Sequence, residues 1–226
     1  MMDECAPKCQ MPQGRRHAAG EDPEKRSQIL NGAWKIFAQQ GFDAASMNNI
    51  CKAAGVSKGT IYVYFSDKQE LLVALVTERR QKFLQEITSL LASHGSTQDR
   101  LLATALALGR LMTSDDVVRV QRMVIAVAER MPDLGRQFYD AGAQHFLGLM
   151  SNWLCAETQA GRLWTPDPVI AAQHFAELAS AGIWRRRLFG HALDAPTHDA
   201  IDHVAQEAVR VFIAAYGPHH RPPAPR

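Results

Sequence analysis

A short polar segment of this 226-residue chain carries the side chains with the clearest chemical role. It places an ammonium group at Lys58, a hydroxyl at Thr60 and phenols at Tyr62 and Tyr64, while Gly59 adds no side chain. An ammonium group binds phosphates or guanine edges, and a threonine offers a hydroxyl to either and a methyl group to thymine. Phenols donate hydrogen bonds to phosphates, and a glycine lets the backbone approach closely. Together these groups predict a surface that binds duplex DNA.

Two short helices joined by a tight turn are expected to hold these groups. Ser46 is a suitable N-cap for the first helix because its hydroxyl accepts a hydrogen bond from a free backbone N–H. Gly55 ends that helix, since glycine enters the left-handed conformation at little steric cost. Val56 fills the space between the helices, and Ser57 caps the second, whose Ile61 faces the core. The pattern predicts a helix-turn-helix, in which the second helix lies in the major groove and the first crosses the phosphate backbone.

Lys68 lies just beyond this unit, in the first turn of a long helix predicted over residues 67–92. A positive charge is poorly placed in the first turn of a helix, whose N-terminal dipole is itself positive. A phosphate partner would explain the residue. For Lys68 or Tyr64 taken alone, a solvated surface side chain is an equally good interpretation.

The residues of this segment resemble the DNA-binding signature of the tetracycline-repressor (TetR) family of bacterial regulators. The resemblance rests on the run AAGVSKGTIY at residues 53–62, on the Tyr64-Phe65 pair and Lys68, and on ILNGAWKIFAQQGF at residues 29–42, which is similar to the family's first helix. It implies DNA-contact roles for the matching positions, which are Ser46, Asn48, Lys58, Gly59, Thr60, Tyr62, Tyr64 and Lys68.

Composition excludes several other classes of protein. Hydrophobic residues make up 46% and charged residues 21% of the chain, which is ordinary for a globular protein. The net charge is only +2, so DNA binding must come from a local patch. No apolar run of about 18 residues predicts a membrane span, and the N-terminus lacks the apolar stretch of a secretory signal. We therefore expect a cytoplasmic protein without a membrane partner, and four free cysteines suit a reducing compartment.

The order of turn signals predicts an all-α protein with two domains between two tails. We expect a disordered tail over residues 1–20, a helix-turn-helix domain over 21–68, a helical domain for effector binding and dimerisation over 69–217, and a second disordered tail over 218–226. Within the larger domain, helices are expected over residues 97–112, 114–131, 133–161, 167–190 and 196–216. The long helix that joins the domains has a buried stripe interrupted at Arg79 and Arg80.

The last two predicted helices carry more apolar surface than one core needs. Small residues on the first of them allow close helix packing, and the second is apolar on two faces. A homodimer built as a four-helix interface would use both. The predicted interface residues are Ala172, Ala176, Ala179, Val204, Ala208 and Phe212.

The middle helices carry flexible and flat apolar residues, which suit either an adaptable ligand pocket or a plain core. The run VIAVAERMPDLGR at residues 124–136, with Phe138 and Tyr139, resembles the AefR-like branch of the family. That resemblance implies a small-molecule effector bound within this domain. The predicted lining residues are Leu108, Met112, Val120, Met123, Val127, Phe138, Phe146, Met150, Trp153 and Trp184.

The hypothesis that follows is a homodimeric repressor released from a palindromic operator by a small hydrophobic or amphipathic ligand. A ligand-independent architectural or cell-cycle factor and an activator are the alternatives. An enzyme is disfavoured because the chain has no G-x-S-x-G, phosphate-binding loop, dinucleotide fingerprint or H-E-x-x-H motif. We expect no catalytic residue, cofactor or metal ion.

Overall fold

The computed structural model describes residues 21–220, and within that range every regular element is helical. The all-α prediction is confirmed. The tail predicted at residues 1–20 and residues 221–226 of the second tail lie outside the described residues. The α-helices are α1 (Pro23–Ala44), α2 (Met47–Ala54), α3 (Lys58–Tyr64), α4 (Lys68–Leu91), α5 (Thr97–Thr113), α6 (Asp115–Ala128), α7 (Pro132–Tyr139), α8 (His145–Gln159), α9 (Pro168–Ala179), α10 (Trp184–Leu188) and α11 (His198–Tyr216).

Two details differ from the sequence-based expectations. A π-helical turn, Asp140–Gln144, joins α7 to α8 within the span predicted as a single helix. The helix predicted over residues 167–190 is broken after Ala179, because Gly182 adopts a left-handed conformation with φ 74° before α10 begins. Pro218–His220, at the start of the predicted second tail, form a 3-10 turn.

Polar side chains set the helix starts. The Asp22 carboxylate accepts from the backbone N–H groups of Glu24 and Lys25 at the start of α1, where Pro23 occupies the first helical position. Asp67 does the same for α4. Each cap satisfies N–H groups that have no partner within the helix. In the part of the chain that the structure describes, no helix is long and apolar enough to cross a membrane.

Two apolar clusters form the interior, and α4 runs through both. The first cluster joins α1–α3 and the start of α4 to Val120, Met123, Val124 and Val127 of α6 and Leu134 of α7. The second joins the remainder of α4 to α5, α8, α9 and α11. Helix α6 therefore packs with the amino-terminal helices, and the first cluster extends past residue 68, where the sequence predicted a domain boundary.

A buried carboxylate ties together the far end of the second cluster. Glu157 of α8 is only 2% exposed. Its carboxylate accepts from Arg162 Nη2 (2.7 Å) and Nε (2.8 Å), from Thr97 Oγ1 (2.5 Å) and from Arg100 Nη2 (3.3 Å). Hydrogen bonds from Arg162, followed by smaller contributions from Thr97 and the charge of Arg100, lower the pKa of Glu157 although burial acts to raise it.

Glu157→Gln is expected to lower the free energy of unfolding at neutral pH by about 2 kcal/mol, because the buried carboxylate that accepts from Arg162, Arg100 and Thr97 is replaced by a neutral amide. Since the folded-state pKa lies below the ordinary value of 4.5, this stabilisation is complete above that pH and is lost as the pH falls through the folded-state pKa. Urea unfolding at neutral and acid pH measures both effects. Glu207→Gln, at a largely exposed ion pair with Arg210, is the matched control and should change little. An equal loss in both variants would contradict the prediction.

Candidate nucleic-acid interface

Helices α2 and α3 form the helix-turn-helix predicted from the sequence. Ser46 Oγ accepts from Asn49 N (3.2 Å) at the start of α2, and Ser57 Oγ accepts from Thr60 N (3.0 Å) at the start of α3. Between them Gly55 is left-handed, with φ 66°, and its N–H donates to Lys52 O (3.2 Å). These local bonds fix the angle between the two short helices, as the sequence signals indicated.

The outward side of this motif presents most of the predicted contact residues. Asn48, Lys58, Gly59 and Tyr62 are exposed, and the Tyr62 side chain is 54% accessible. The other predicted contacts are half-buried. Among them, Ser46 caps α2, the Thr60 hydroxyl lies 2.8 Å from the Ser57 hydroxyl, and Tyr64 packs against the first apolar cluster. Val63, which is 53% exposed beside Tyr62, adds apolar surface of the kind that contacts a thymine methyl.

The charge of the motif has one sign. Residues 44–66 contain Lys52 and Lys58 and no aspartate or glutamate. Lys52 is exposed in the last turn of α2, where a positive charge also suits the helix dipole. Sequence reasoning overlooked Lys52 as a candidate phosphate contact, although the absence of acids around it was a readable signal. A chain with almost no net charge thus concentrates positive charge where a phosphate backbone would pass.

Lys68 has a different environment from the one predicted. Its ammonium group donates to the carbonyl oxygens of Phe42 (2.8 Å), Asp43 (3.0 Å) and Ala45 (3.3 Å), and lies 4.7 Å from the centre of the Phe42 ring. These carbonyls close the carboxyl end of α1, where a cation is favoured. The structure therefore explains the charge in the first turn of α4 without a phosphate.

Lys68→Met is expected to lower the free energy of unfolding by about 1–2 kcal/mol, because three charge-assisted hydrogen bonds and one cation–π contact are lost. DNA affinity of the folded variant should change little. Chemical unfolding and a DNA titration at several salt concentrations measure the two effects separately. Unchanged stability together with a shallower salt dependence of DNA binding would instead support the phosphate contact predicted from the sequence.

The predicted ligand-lining residues do not meet at one place. Val120, Met123, Val127 and Phe138 lie in or against the first apolar cluster. Leu108, Met112, Phe146, Met150 and Trp153 lie in or against the second. The indole N–H of Trp184 donates to Gln121 Oε1 (2.8 Å) beside α6. A narrow cleft between α4 and α7 is lined by Leu72, Val73, Val76, Leu134, Gln137 and Phe138, and it leaves no room for a water molecule.

The predicted dimer-interface residues are mostly buried within the chain itself. Ala172, Ala179 and Phe212 are buried within the chain's own second cluster, and Ala208 is buried as well. Ala176 and Val204 are half-buried. Helical periodicity shows which residues share a face but not whether a second helix of the same chain or a partner covers it. The outer faces of α9 and α11 instead expose a different set of apolar residues, Val169, Ile170 and Val211.

Charged contacts connect the amino-terminal helices to the rest of the molecule. The Arg79 guanidinium of α4 stacks 4.2 Å from the centre of the Trp34 ring in α1 and also pairs with Asp116 of α6. Arg130, just after α6, pairs with Asp43 at 2.7 Å. These bonds reinforce the apolar packing between α1, α4 and α6.

Comparison with known families accounts for most of the chain. Residues 29–75 match the family described as bacterial regulatory proteins, tetR family. Residues 99–218 match the AefR-like transcriptional repressor, C-terminal domain.

Individual relatives match over different lengths. The fatty acid metabolism regulator protein of Bacillus subtilis is 30% identical over 77 residues, which cover 34% of this chain and 40% of that protein. The chain therefore aligns with less than half of that relative's length. An HTH-type transcriptional repressor of Mycobacterium tuberculosis is 26% identical over 174 residues, covering 74% of this chain and 83% of the repressor.

Solved structures share the whole architecture. A TetR-family transcriptional regulator from Mesorhizobium loti superposes with a TM-score of 0.78 and 27% identity, covering 86% of this chain and 97% of the regulator. The flavonoid-responsive regulator FrrA superposes with a TM-score of 0.71 and 28% identity, covering 87% of this chain and 99% of that one.

Proposed function

Because this chain belongs to the TetR family of bacterial transcriptional regulators, we propose that it is a homodimeric repressor that leaves a palindromic operator when a small molecule binds its helical domain. Members of this family are DNA-binding regulators rather than enzymes. The observation that carries the proposal is the exposed, acid-free surface of α2 and α3 with Lys58 and Tyr62 at its centre. We place the regulator in the cytoplasm, where bacterial DNA lies.

In this proposal α3 enters the major groove and α2 crosses the phosphate backbone. Lys58, Thr60, Tyr62 and Val63 supply the groups that reach bases and phosphates, while Asn48 and Lys52 contact the flanking strand. Ser46 and Lys68 then act by holding helix ends in place. Two recognition helices must meet half-sites about 34–36 Å apart or at a related spacing, which requires a two-fold symmetric dimer.

The outward faces of α9 and α11 are the surfaces we assign to the dimer. Val169, Ile170 and Val211 are apolar residues at 39–53% exposure, and they lie on helices that pack against each other. This packing includes Phe175 and Phe212, whose rings meet edge to face at 5.4 Å. A second copy packed on these faces would complete a four-helix interface.

Release from DNA follows from the packing of α4 and α6. Both helices share the first apolar cluster with α1–α3, so a ligand that favours another arrangement of α4 against α7 also changes the position of α3. By linkage, the ligand weakens DNA binding by the same factor by which DNA weakens ligand binding. The corresponding coupling free energy is typically about 1–3 kcal/mol. The names of two relatives mention a flavonoid response and fatty acid metabolism, which agrees with an apolar or amphipathic effector.

The test is a titration of the protein against the DNA upstream of its own gene, with a shuffled duplex as the control. The salt concentration must be fixed because phosphate contacts make affinity steeply salt-dependent. We expect specific, saturable binding with two protomers per site, and release by compounds found in a screen with this assay. Broad binding no tighter than the control, without release by any compound, would favour an architectural factor instead. If saturating operator leaves the affinity of a proven inducer unchanged, the release mechanism fails.

A further inference from the structure

One charged residue stands on the inner face of α4 between the two apolar clusters. Arg80 lies four residues after Val76, which lines the narrow cleft beside α7, and three residues before Phe83, which is buried in the second cluster. Spacings of three and four residues place side chains on the same face of a helix. The arginine therefore interrupts a stripe that is otherwise apolar, at the level where one cluster gives way to the other.

The Arg80 side chain differs from that of its neighbour Arg79. Arg79, which is exposed, pairs with Asp116 and stacks on the half-buried Trp34. In contrast, Nε and Nη1 of Arg80 are inaccessible to solvent and have no hydrogen-bond partner among the described residues, although the residue as a whole is half-buried. Burial lowers the pKa of Arg80, and no nearby anion offsets that effect. An uncompensated guanidinium in such a position is costly, and proteins normally pair it with an anion.

The surroundings of Arg80 suit the apolar part of a small molecule. The cleft one helical turn away is apolar apart from Gln137, and Phe83 and Phe146 stack with ring centres 6.2 Å apart on the other side. The π-helical turn Asp140–Gln144 packs against α4, and such turns are frequent at functional sites. Gly142 within it is half-buried, yet a Cβ there would meet no atom within 4 Å. The π-helical turn therefore leaves open space at this position, next to α4.

We propose that Arg80 binds the anionic head of the effector, and that the effector is an amphipathic carboxylate or similar oxyanion whose apolar part enters the cleft between α4 and α7. This inference rests on the proposed ligand-released repressor and names its ligand class. A guanidinium matches a carboxylate with two parallel charge-assisted hydrogen bonds, and Nε and Nη1 of Arg80 are both shielded from water. The cleft is too narrow for the ligand as it stands, so entry separates α4 from α7. That movement is the one that shifts the helix-turn-helix.

The experiment compares three probes of equal chain length, decanoate, decanol and decylammonium, by calorimetric titration of the full-length protein. We expect decanoate to bind roughly tenfold or more tightly than the other two, since one charge-assisted pair accounts for a factor of that size. Arg80→Met should remove this preference by weakening decanoate alone, and Arg80→Lys should restore part of it. Arg119→Met, which removes an exposed arginine of α6, is the matched control and should behave like the wild type.

Thermal unfolding separates a binding role from a structural one. Removing an uncompensated charge should leave the melting temperature of Arg80→Met equal to or above that of the wild type, whereas loss of a structural ion pair would lower it. Equal affinity for decanoate and decanol, no decanoate binding at millimolar concentration, or unchanged decanoate affinity in Arg80→Met would each overturn the inference. Operator release by neutral ligands, independent of Arg80, would leave the proposed function standing and this inference refuted. Arg80-dependent decanoate binding without operator release would support the Arg80 site and would contradict the proposed release from the operator.

Discussion

Gly32→Ala is expected to destabilise the protein by about 2 kcal/mol or more, although alanine is the better helix former. A Cβ at Gly32 of α1 would lie 2.5 Å from the Cβ of Ala54 and 2.7 Å from its backbone N and Cα. These distances are far inside van der Waals contact, and the backbone of α2 cannot move away without leaving the first cluster. The gain in helix propensity, about 1 kcal/mol, is smaller than this cost. Denaturant unfolding followed by circular dichroism measures the difference.

Gly148→Ala provides the matched control, because it makes the same substitution within α8 where a Cβ would meet no atom within 4 Å. That variant should be more stable than the wild type by up to about 1 kcal/mol. The folded fraction of Gly32→Ala should also bind DNA less tightly, since α1 holds α2 in place. Equal effects of the two substitutions on stability would show that α1 and α2 tolerate separation, contrary to the packing seen here.

The sequence identified the helix-turn-helix because its signals are local. Serine caps, a left-handed glycine and an apolar residue between two helices each act within a few residues, so their meaning does not depend on the rest of the fold. Helix starts marked by Asp22-Pro23 and Asp167-Pro168 were predictable for the same reason. Gly32 carried no such signal, because a glycine within a helix looks the same whether or not another backbone lies against it.

Long-range packing could not be predicted in the same way. The small residues of α9 favour a dimer interface when only the sequence is considered. In the structure, Ala172 and Ala179 are buried against other helices of the same chain. The aromatic and methionine residues of the middle helices divided between two clusters, because α6 packs on the amino-terminal helices. The periodicity of one helix specifies which side is apolar and leaves its partner undetermined. Arg80 was visible as an interruption of the α4 stripe, yet its lack of a partner depends on helices distant in sequence.

Lys58→Ala is expected to weaken operator binding by roughly tenfold to a hundredfold, because the proposed dimer would lose this ammonium group from both recognition helices. The salt dependence of the affinity should become shallower as well, since fewer counterions are released on binding. Titrations at three or more salt concentrations give both quantities. Lys82→Ala removes the same charge from an exposed position of α4 away from the motif and should alter neither by much.

Tyr62→Ala distinguishes electrostatic from geometric contributions to the same interface. It removes a neutral side chain that is 54% exposed on α3, so affinity should fall while the salt dependence stays close to that of the wild type. The loss of affinity caused by Tyr62→Ala should also be larger on the specific operator than on a shuffled duplex if the phenol or ring contacts bases. If Lys58→Ala and Tyr62→Ala both bind the operator with wild-type affinity while remaining folded, α3 is not the recognition helix. In that case the acid-free surface of α2 and α3 would need another role.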